Sequence, residues 1–368
     1  MMWKKPLPFS FTLVALISSL AACSSGSNAP SASSVTYSAS ELQAMCLDAS
    51  GDTPLACHFP VIDSESSPNH FAVEVTGTSL SEVKLYAESR RLMFDSELLD
   101  AQSKSEYDSS LRFIVNTRQP DGQPIQHDTY EGLPGATLWL PDGLANIASI
   151  KVTPVEPVQR IFVIGDSTVC DQNPQWDKPA VNRFSGWGQV LPAYFDDTVS
   201  IVNYADSGEG TEAFNTLDGV LLKPIAEQIK ANDVVLIQLG HNDKTTPQSV
   251  YTQRLEDLIH FIRSRDAQPV LISPMIRNHG IALEKQHQWP QLDIPAALSG
   301  IATRENVPYI DLLTLSNSWA EPLGQSTAQT YFVTKDRTHT NEAGARVFAD
   351  LIIDAIKQQD LPIAQSLR

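Results

Sequence analysis

Short apolar runs separated by turns occupy the chain between about residue 68 and residue 152. Six runs have the length and the β-branched or aromatic character of strands: residues 70–75, 83–86, 91–94, 111–116, 136–140 and 147–152. Sequences rich in proline and glycine, such as Pro141-Asp142-Gly143, separate several of them. Several short strands without a helical pattern predict a β-sandwich, to which we assign residues 41–156.

A different pattern begins after Pro157. There, short apolar runs alternate with longer segments whose apolar residues have the spacing of a helix. The apolar runs are residues 160–164, 199–203, 234–239, 269–272 and 307–310. Residues 250–262 and 343–356 carry apolar side chains at the three- and four-residue intervals of a helix. This alternation predicts an open parallel sheet covered by helices on both faces over residues 157–368. Ligands of such sheets bind beyond the carboxyl ends of the strands.

The first 22 residues have the layout of a secretory signal peptide. Lys4 and Lys5 give a positive start, and residues 9–22 form a mostly apolar run that is too short for a spanning helix. The run ends in Leu20-Ala21-Ala22-Cys23, which resembles the lipobox of bacterial lipoproteins. That resemblance implies that Cys23 becomes the lipid-modified first residue, and Ser24 after it favours the outer membrane. The alternative is an ordinary signal peptide followed by an incidental cysteine.

The remaining cysteines fit an exported protein. The composition after the signal, rich in Ser, Gly, Asn, Ala and Pro, predicts a flexible tether over residues 23–40. Cys46 and Cys57 flank a turn-rich loop, and in an oxidising compartment we expect a disulfide between them. Cys170 is then a buried thiol outside any disulfide. The sequence has neither CxxC pairs nor a Cys/His cluster, so it predicts no structural zinc site.

The balance of charge excludes one class of partner. The chain has 43 acidic and 26 basic residues and a net charge of -17, which becomes -19 when the signal and its two lysines are removed. Such a chain repels the phosphate backbone, so we expect no nucleic-acid binding.

Polar residues with catalytic potential follow the first three apolar runs of the second part. Gly165-Asp166-Ser167-Thr168 follows the first run, and a serine on a sharp strand-to-helix turn is well placed for nucleophilic attack. Gly208, after the second run, could lend a backbone N–H to an oxyanion. Gly240-His241-Asn242-Asp243 follows the third run and offers the Asn242 amide as a donor. Taken singly, each block can also be interpreted as a helix cap or a loop.

A fourth block, Asp336-Arg337-Thr338-His339-Thr340-Asn341, precedes the last predicted helix. An aspartate three residues before a histidine can accept from its Nδ1–H, which fixes the tautomer and leaves Nε2 free as a base. In isolation, a surface histidine beside a capping aspartate explains the block better. Together the four blocks supply a nucleophile, a base, its orienting carboxylate and oxyanion donors. These are the parts of an acyl-transfer site.

The same residues resemble the name-giving positions of the SGNH, or GDSL, hydrolase family: Ser167, Gly208, Asn242 and His339. With Gly186-Trp187-Gly188-Gln189, the blocks are similar to those of bacterial rhamnogalacturonan and pectin acetylesterases over residues 158–357. The resemblance implies a flavodoxin-like, three-layer α/β/α fold and no cofactor or metal. One departure is Glu209-Gly210, where members with the fungal pattern carry Arg-Ser.

The resemblance also implies a role for each residue. Ser167 attacks an acetyl carbonyl, His339 is the general base, and Asp336 orients His339. The N–H groups of Ser167 and Gly208, with the Asn242 amide, form the oxyanion hole. The implied substrate is an acetylated polysaccharide or oligosaccharide.

Three more residues are candidates for substrate binding: Trp187, His241 and Asp243. A structural role is the alternative for each of them, and for Trp187 a place in the core. Residues 87–92 resemble the galactose-binding-like domain that often precedes bacterial members of the family.

Other functions on the same scaffold stay open. A lipase, a thioesterase or a peptidoglycan O-acetylesterase would share the catalytic parts, because specificity depends on the pocket. A catalytically inactive, carbohydrate-binding surface lipoprotein is a further alternative. The acidic net charge predicts repulsion of polyanionic pectin and therefore a neutral or heavily esterified glycan. We expect a monomer in the bacterial cell envelope, held at the membrane by the lipid on Cys23.

Overall fold

The computed structural model describes residues 34–47, 53–60, 69–99, 101–117, 135–217, 219 and 221–368. The predicted signal peptide, Cys23 and residues 23–33 of the predicted tether lie outside these residues. None of the described helices is both long enough and apolar enough to cross a bilayer.

Two four-stranded antiparallel sheets form the first part of the chain. In chain order the strands are β1 (Val35–Ser38), β2 (Leu55–Pro60), β3 (His70–Gly77), β4 (Lys84–Ala87), β5 (Arg91–Asp95), β6 (Ser110–Asn116), β7 (Gly135–Leu140) and β8 (Ile147–Pro154). One sheet has the order β1-β8-β3-β6 and the other β2-β7-β4-β5. Val73 and Val75 of β3 and Leu138 and Leu140 of β7 meet in a single core between the sheets. The six predicted strands are confirmed, and β1 and β2 are additional.

The structure corrects the boundary of the predicted tether. Its last six residues form β1, which pairs with β8, and the start of helix α1 (Ala39–Met45). Ser38 and Glu41 form a capping box at the start of α1, and the Tyr37 ring contacts Phe59 with centroids 5.2 Å apart. The prediction was wrong here because small polar residues dominate the composition, whereas an alternating four-residue strand is too short to stand out.

The β-rich part also contains features that hold its edge together. The disulfide predicted between Cys46 and Cys57 is present and joins the end of α1 to β2. A second short helix, α2 (Ala101–Glu106), lies between β5 and β6. Neither helix was expected from the strand-like pattern of this part.

A five-stranded parallel sheet forms the centre of the second part. Its strands are β9 (Gln159–Gly165), β10 (Val199–Asn203), β11 (Val234–Gln238), β12 (Gln268–Ile272) and β15 (Tyr309–Ile310), and a small hairpin of β13 (Gln288–Trp289) and β14 (Leu292–Asp293) lies outside it. The spatial order is β10-β9-β11-β12-β15. The first strand therefore lies between the second and the third, as in flavodoxin-like sheets. In this topology ligands bind where β9 meets its two neighbours, at the carboxyl ends of the strands.

Helices cover both faces of this sheet. They are α3 (Trp187–Val190), α4 (Leu222–Gln228), α5 (Gln248–Arg263), α6 (Ile294–Glu305), α7 (Leu312–Ala320), α8 (Gly324–Ala328) and α9 (Glu342–Gln358). Ile161 and Val163 of β9 pack under α3, α7 and α9, whereas Phe162 and Ile164 pack under α4, α5 and α6. This two-residue alternation confirms the predicted three-layer architecture. The predicted helices over 250–262 and 343–356 correspond to α5 and α9.

A few sandwich residues extend the core of the second part. The described residues from 34 onward belong to a single compact unit. Tyr86 and Trp139 of the sandwich contact Trp176 of the second part, with ring centroids 5.4 and 5.8 Å apart. The proline-rich stretch near residue 156 therefore marks a change in architecture within that unit.

Candidate active site

The first catalytic block forms a tight turn at the end of β9. A side chain on Gly165 would lie 2.6 Å from Val169 Cγ2, so only glycine allows the chain to turn back this closely. The N–H groups of Val169 and Cys170 both donate to the Asp166 carbonyl at 2.9 Å. The turn leaves Ser167 at the strand-end edge of the sheet with 9% of its surface exposed.

Ser167, His339 and Asp336 form a continuous hydrogen-bonded chain. Ser167 Oγ lies 2.9 Å from His339 Nε2, and His339 Nδ1 lies 2.8 Å from Asp336 Oδ2. With Nδ1–H donating to the carboxylate, Nε2 is the acceptor for the serine hydroxyl. The structure thus brings together the three residues that the sequence proposed as nucleophile, base and orienting acid.

The Asp336 carboxylate is fixed by its own loop. Its Oδ1 accepts from the N–H groups of Thr338 at 2.7 Å and His339 at 2.9 Å, while Oδ2 faces the histidine ring. Burial raises the pKa of Asp336, but these hydrogen bonds outweigh burial and keep the pKa below its ordinary value. Asp336 is therefore a carboxylate at neutral pH and holds the histidine tautomer.

Contacts from the segment before α3 position the other side of His339. The Phe184 ring meets the His339 ring edge to face, with centroids 5.7 Å apart. Beside it, the Ser185 N–H donates to the Thr340 carbonyl at 2.9 Å, and Thr340 Oγ1–H donates to the Ser185 carbonyl at 2.6 Å. The loop that carries the base is therefore bound to the segment that follows the serine turn.

The two proposed oxyanion donors lie on loops that contact each other. Gly208 has φ +90°, a left-handed conformation that favours glycine, and the space beside its Cα is open. Asn242 Nδ2 donates to the Glu209 carbonyl at 2.8 Å. This bond engages one of the two N–H groups of the amide. No described residue accepts a hydrogen bond from the other, which is therefore available to a substrate oxygen.

The structure corrects the prediction of substrate contacts at Trp187, His241 and Asp243. Trp187 is completely buried and donates from Nε1 to Gln238 Oε1 at 2.8 Å. Asp243 is 2% exposed and accepts from the backbone N–H and the hydroxyl of Thr211. His241 is also 2% exposed. All three side chains are buried behind the catalytic edge, so they have no exposed surface that could contact a substrate.

A buried polar network supports the serine turn from below. Asp166 Oδ1 accepts from the N–H and the hydroxyl of Thr168 at 2.9 and 2.8 Å, and its Oδ2 lies 3.3 Å from His241 Nδ1. Gln238 Nε2 donates to Thr168 Oγ1 at 2.8 Å. Burial lowers the pKa of His241, so the neutral ring donates from Nδ1 to Asp166. The supporting roles of Thr168 and Gln238 were not predicted from the sequence, although a glutamine inside an apolar strand was a signal.

The sandwich contributes two buried arginines from the β4–β5 turn. Arg90 donates from Nη1 to Glu342 Oε2 at 3.2 Å and from Nη2 to the carbonyl of Phe184. Arg91 donates from Nε to Asp171, just after the serine turn. Their contacts with the hydrolase part were not predicted from the sequence, in which the signal was two consecutive arginines at the start of an apolar run.

In the described part of the chain, no three His, Cys, Asp or Glu side chains come close enough together to hold a metal ion. The described partner of the Ser167 hydroxyl is His339, which is held in turn by Asp336.

A hydrogen-bonded serine, histidine and aspartate at the strand ends of a doubly wound sheet is the arrangement of serine hydrolases. Residues 163–347 match the model of the GDSL-like lipase/acylhydrolase family. The chain belongs to this family and is a carboxylic ester hydrolase.

Two proteins of Bacillus subtilis (strain 168) are similar in sequence. The probable rhamnogalacturonan acetylesterase YesY is 31% identical over 222 residues, which are 56% of this chain and 96% of YesY. The rhamnogalacturonan acetylesterase RhgT is 31% identical over 229 residues, which are 58% of this chain and 95% of RhgT. The crystal structure of the protein YxiM of Bacillus subtilis covers 86% of this chain and 88% of its own, with a TM-score of 0.51 and 22% identity. The likeness to YxiM shows that the shared fold extends beyond the hydrolase part.

Proposed function

We propose that this chain is a serine acetylesterase that removes O-acetyl groups from rhamnogalacturonan, pectin or a related plant-type polysaccharide. The observation that carries the proposal is the bond of 2.9 Å between Ser167 Oγ and His339 Nε2, with Asp336 on the far side of the histidine ring. The names of the two Bacillus subtilis relatives support the acetyl group and the glycan.

In the first half-reaction the acetyl group moves to the enzyme. Ser167 Oγ attacks the acetyl carbonyl carbon while His339 Nε2 takes the hydroxyl proton, and Asp336 stabilises the imidazolium without taking a proton itself. The tetrahedral intermediate then breaks its bond to the sugar oxygen. That oxygen receives the proton from His339, so the sugar leaves as an alcohol and the acetyl group remains on Ser167.

In the second half-reaction water restores the enzyme. His339 Nε2 takes one proton of the water, and the resulting hydroxide attacks the acetyl carbon. The second intermediate breaks its bond to Ser167 Oγ, which recovers the proton from His339. The products are acetic acid and the free serine.

The negative charge on the carbonyl oxygen requires donors in both intermediates. The proposed donors are the N–H groups of Ser167 and Gly208 and the free N–H of the Asn242 amide. Removal of one such donor typically costs about 3 kcal/mol of transition-state stabilisation, or roughly two to three decades in rate.

The proposal includes a place in the cell. The lipobox-like sequence supports a lipid anchor on Cys23 and a position in the bacterial envelope, at the outer membrane. Metabolic labelling with an alkyne fatty acid in a bacterial host should mark the wild-type chain and not Cys23→Ser. Equal labelling of both would contradict the anchor.

Acetate release from a panel of glycans tests the activity. Wild-type enzyme should release acetate from acetylated rhamnogalacturonan or pectin, with acetylated xylan as a neutral comparison and Ser167→Ala as the inactive control. Nitrophenyl esters of acetate and of long acyl chains separate an acetylesterase from a lipase. A higher kcat/KM on long acyl esters, with no acetate released from any glycan, would contradict the proposal.

A further inference from the structure

Three loops at the carboxyl edge of the sheet bring basic side chains beside the triad. The loop after β11 carries Lys244, the loop after β12 carries Arg277 and His279, and Arg337 directly follows the triad residue Asp336. Two hydrogen bonds join these loops. Arg277 Nη2 donates to the carbonyl of His241 at 3.3 Å, and the N–H of Asn278 donates to the carbonyl of Arg337 at 2.8 Å. We call Lys244, Arg277, His279 and Arg337 the basic cluster.

The charges of the basic cluster are not neutralised by the protein. Among the described residues, none of its four side chains forms an ion pair, and Arg277 Nε is buried without an acceptor. Other cations of this acidic chain do find carboxylates, such as Lys84, Arg90 and Arg346. A buried N–H donor of a guanidinium without an acceptor is costly unless a ligand completes it.

The members of the basic cluster act on one another. Partial burial lowers the pKa of His279, and the charges of Arg277, Arg337 and Lys244 lower it further, with Asp336 opposing them. Burial and the charge of Arg277 lower the pKa of Lys244. This mutual repulsion is relieved when an anion binds among the four side chains.

A cavity of about 480 Å³ adjoins the basic cluster. Arg277 and Asn278 line it, together with the amides of Gln286 and Gln325. Glu284 and Glu321 also line the cavity. The Arg277 guanidinium lies 5.9 Å from the centroid of the Trp289 ring and donates to the carbonyl of His241, the residue before the oxyanion candidate Asn242. An anion therefore fits between the cavity and the triad, and the amide-lined cavity can hold a neighbouring sugar.

We propose that the basic cluster is a subsite that binds the carboxylate of a uronate residue next to the acetylated sugar. The inference rests on the proposed function and deepens it, because it names an anionic glycan as the substrate class. A guanidinium matches a carboxylate with two parallel hydrogen bonds, Lys244 and Arg337 add charge around it, and the His279 ring adds an N–H donor. The subsite also orients the chain so that the neighbouring acetyl group faces Ser167.

The basic cluster replaces the expectation of a neutral glycan that the net charge suggested. Exposed charges act over roughly one Debye length, about 8 Å at physiological salt. The acidic surface beyond that distance contributes little at the site, whereas the three adjacent cations Lys244, Arg277 and Arg337 make the local potential more positive. A chain with net charge -17 can therefore bind a polyanion at one cationic edge.

Binding of a galacturonate trisaccharide tests the subsite without any chemical step, because this ligand carries no ester. Calorimetry should detect binding to the wild-type chain, and Arg277→Gln and Lys244→Gln should each weaken it by about tenfold or more. Lys244→Gln keeps the test valid if Arg277→Gln disturbs the loops, because the Lys244 side chain is exposed. The matched control is Lys357→Gln, which removes an exposed charge at the far end of α9, about 20 Å from its start. The control should change the affinity less than twofold.

Two results would overturn the subsite: no binding of the galacturonate trisaccharide, or equal binding of xylotriose. An equal loss in Lys357→Gln would assign the effect to net charge and would also overturn it. The proposed function fails separately. If the wild-type chain binds the galacturonate trisaccharide but releases no acetate from any acetylated glycan, the subsite stands and the acetylesterase does not. If acetate is released from acetylated rhamnogalacturonan and Arg277→Gln and Lys244→Gln release it at the wild-type rate, the acetylesterase stands and the subsite does not.

Discussion

Glu342 is the carboxylate on which the sandwich and the hydrolase part converge, so its replacement by glutamine should cost a large share of the stability. Three donors from the sandwich reach it: Lys84 Nζ at 2.6 Å, Tyr86 Oη at 2.8 Å and Arg90 Nη1 at 3.2 Å. Glu342→Gln keeps the shape and removes the charge. The loss then depends on how well each cation is compensated by other groups.

Lys84 and Arg90 differ in the hydrogen-bonding partners that they keep after Glu342→Gln. Lys84 keeps Asp95 at 3.2 Å and is partly exposed, so its loss is small. The side chain of Arg90 is 1% exposed, and it keeps the carbonyl of Phe184 but no carboxylate. Loss of one partner from a buried ion pair costs about 3–5 kcal/mol, and the Phe184 bond places the expected loss for Glu342→Gln near the lower end, about 3 kcal/mol.

The pH dependence of this loss identifies its origin. Burial raises the pKa of Glu342, but Lys84 and Arg90 outweigh burial and keep the pKa below its ordinary value of 4.5. A carboxyl group with a lowered folded pKa stabilises the fold fully above the unfolded pKa, and this contribution is lost as the pH falls through the folded pKa. The gap between wild-type and Glu342→Gln should therefore be full at neutral pH and shrink below about pH 4.5.

Guanidinium chloride unfolding of both proteins across this pH range measures the gap. The control is Glu227→Gln on α4, whose side chain is 61% exposed and lies 3.7 Å from Lys223. An exposed pair of this kind should cost less than about 1 kcal/mol at every pH. If Glu342→Gln costs no more than the control, or if its cost is unchanged in acid, the buried-charge explanation is wrong.

The remaining predictions concern catalysis. Ser167→Ala should abolish hydrolysis of 4-nitrophenyl acetate with an unchanged circular dichroism spectrum; retained activity in the purified variant would exclude Ser167 as the nucleophile. Asn242→Ala should lower kcat by about two to three decades with little change in KM, because its amide acts on the transition state; a change in KM alone would assign Asn242 to substrate binding. Asp336→Asn should lower kcat by about four decades through the wrong histidine tautomer, and steady-state rates near those of wild type would remove it from the triad. EDTA should leave activity unchanged, since side-chain and backbone groups supply every part of the proposed step; loss that added metal reverses would refute this.

The strand ends of the second part were predictable from sequence because the chemistry there is local. Ser167 follows a run of four apolar residues, and the Asp336–His339 bond spans a single turn of three residues. The order of a parallel sheet then brings such blocks to one edge. The alternation of apolar runs with helical segments likewise predicted helices on both faces of the sheet.

The burial of side chains behind the catalytic edge of the sheet could not be predicted from the sequence, because it depends on packing between distant segments. Asp243 follows Asn242 directly and Trp187 lies in a segment that resembles the family, yet Thr211 and Gln238 hold them inside the protein. Arg90 is a stronger case, because its partner Glu342 is 252 residues away. Nothing within the sandwich sequence indicates that an arginine there lies beside the histidine loop.

The β4–β5 turn has a consequence for dividing the chain. Cutting near residue 156 would remove Arg90 and Arg91 from Glu342 and Asp171 and would open the shared core to water. YesY matches 56% of this chain with 96% of its own length, which leaves it little room for a sandwich. In the present chain the sandwich and the hydrolase part pack within one compact unit, so an exchange of domains between such enzymes has to carry both sides of this contact together.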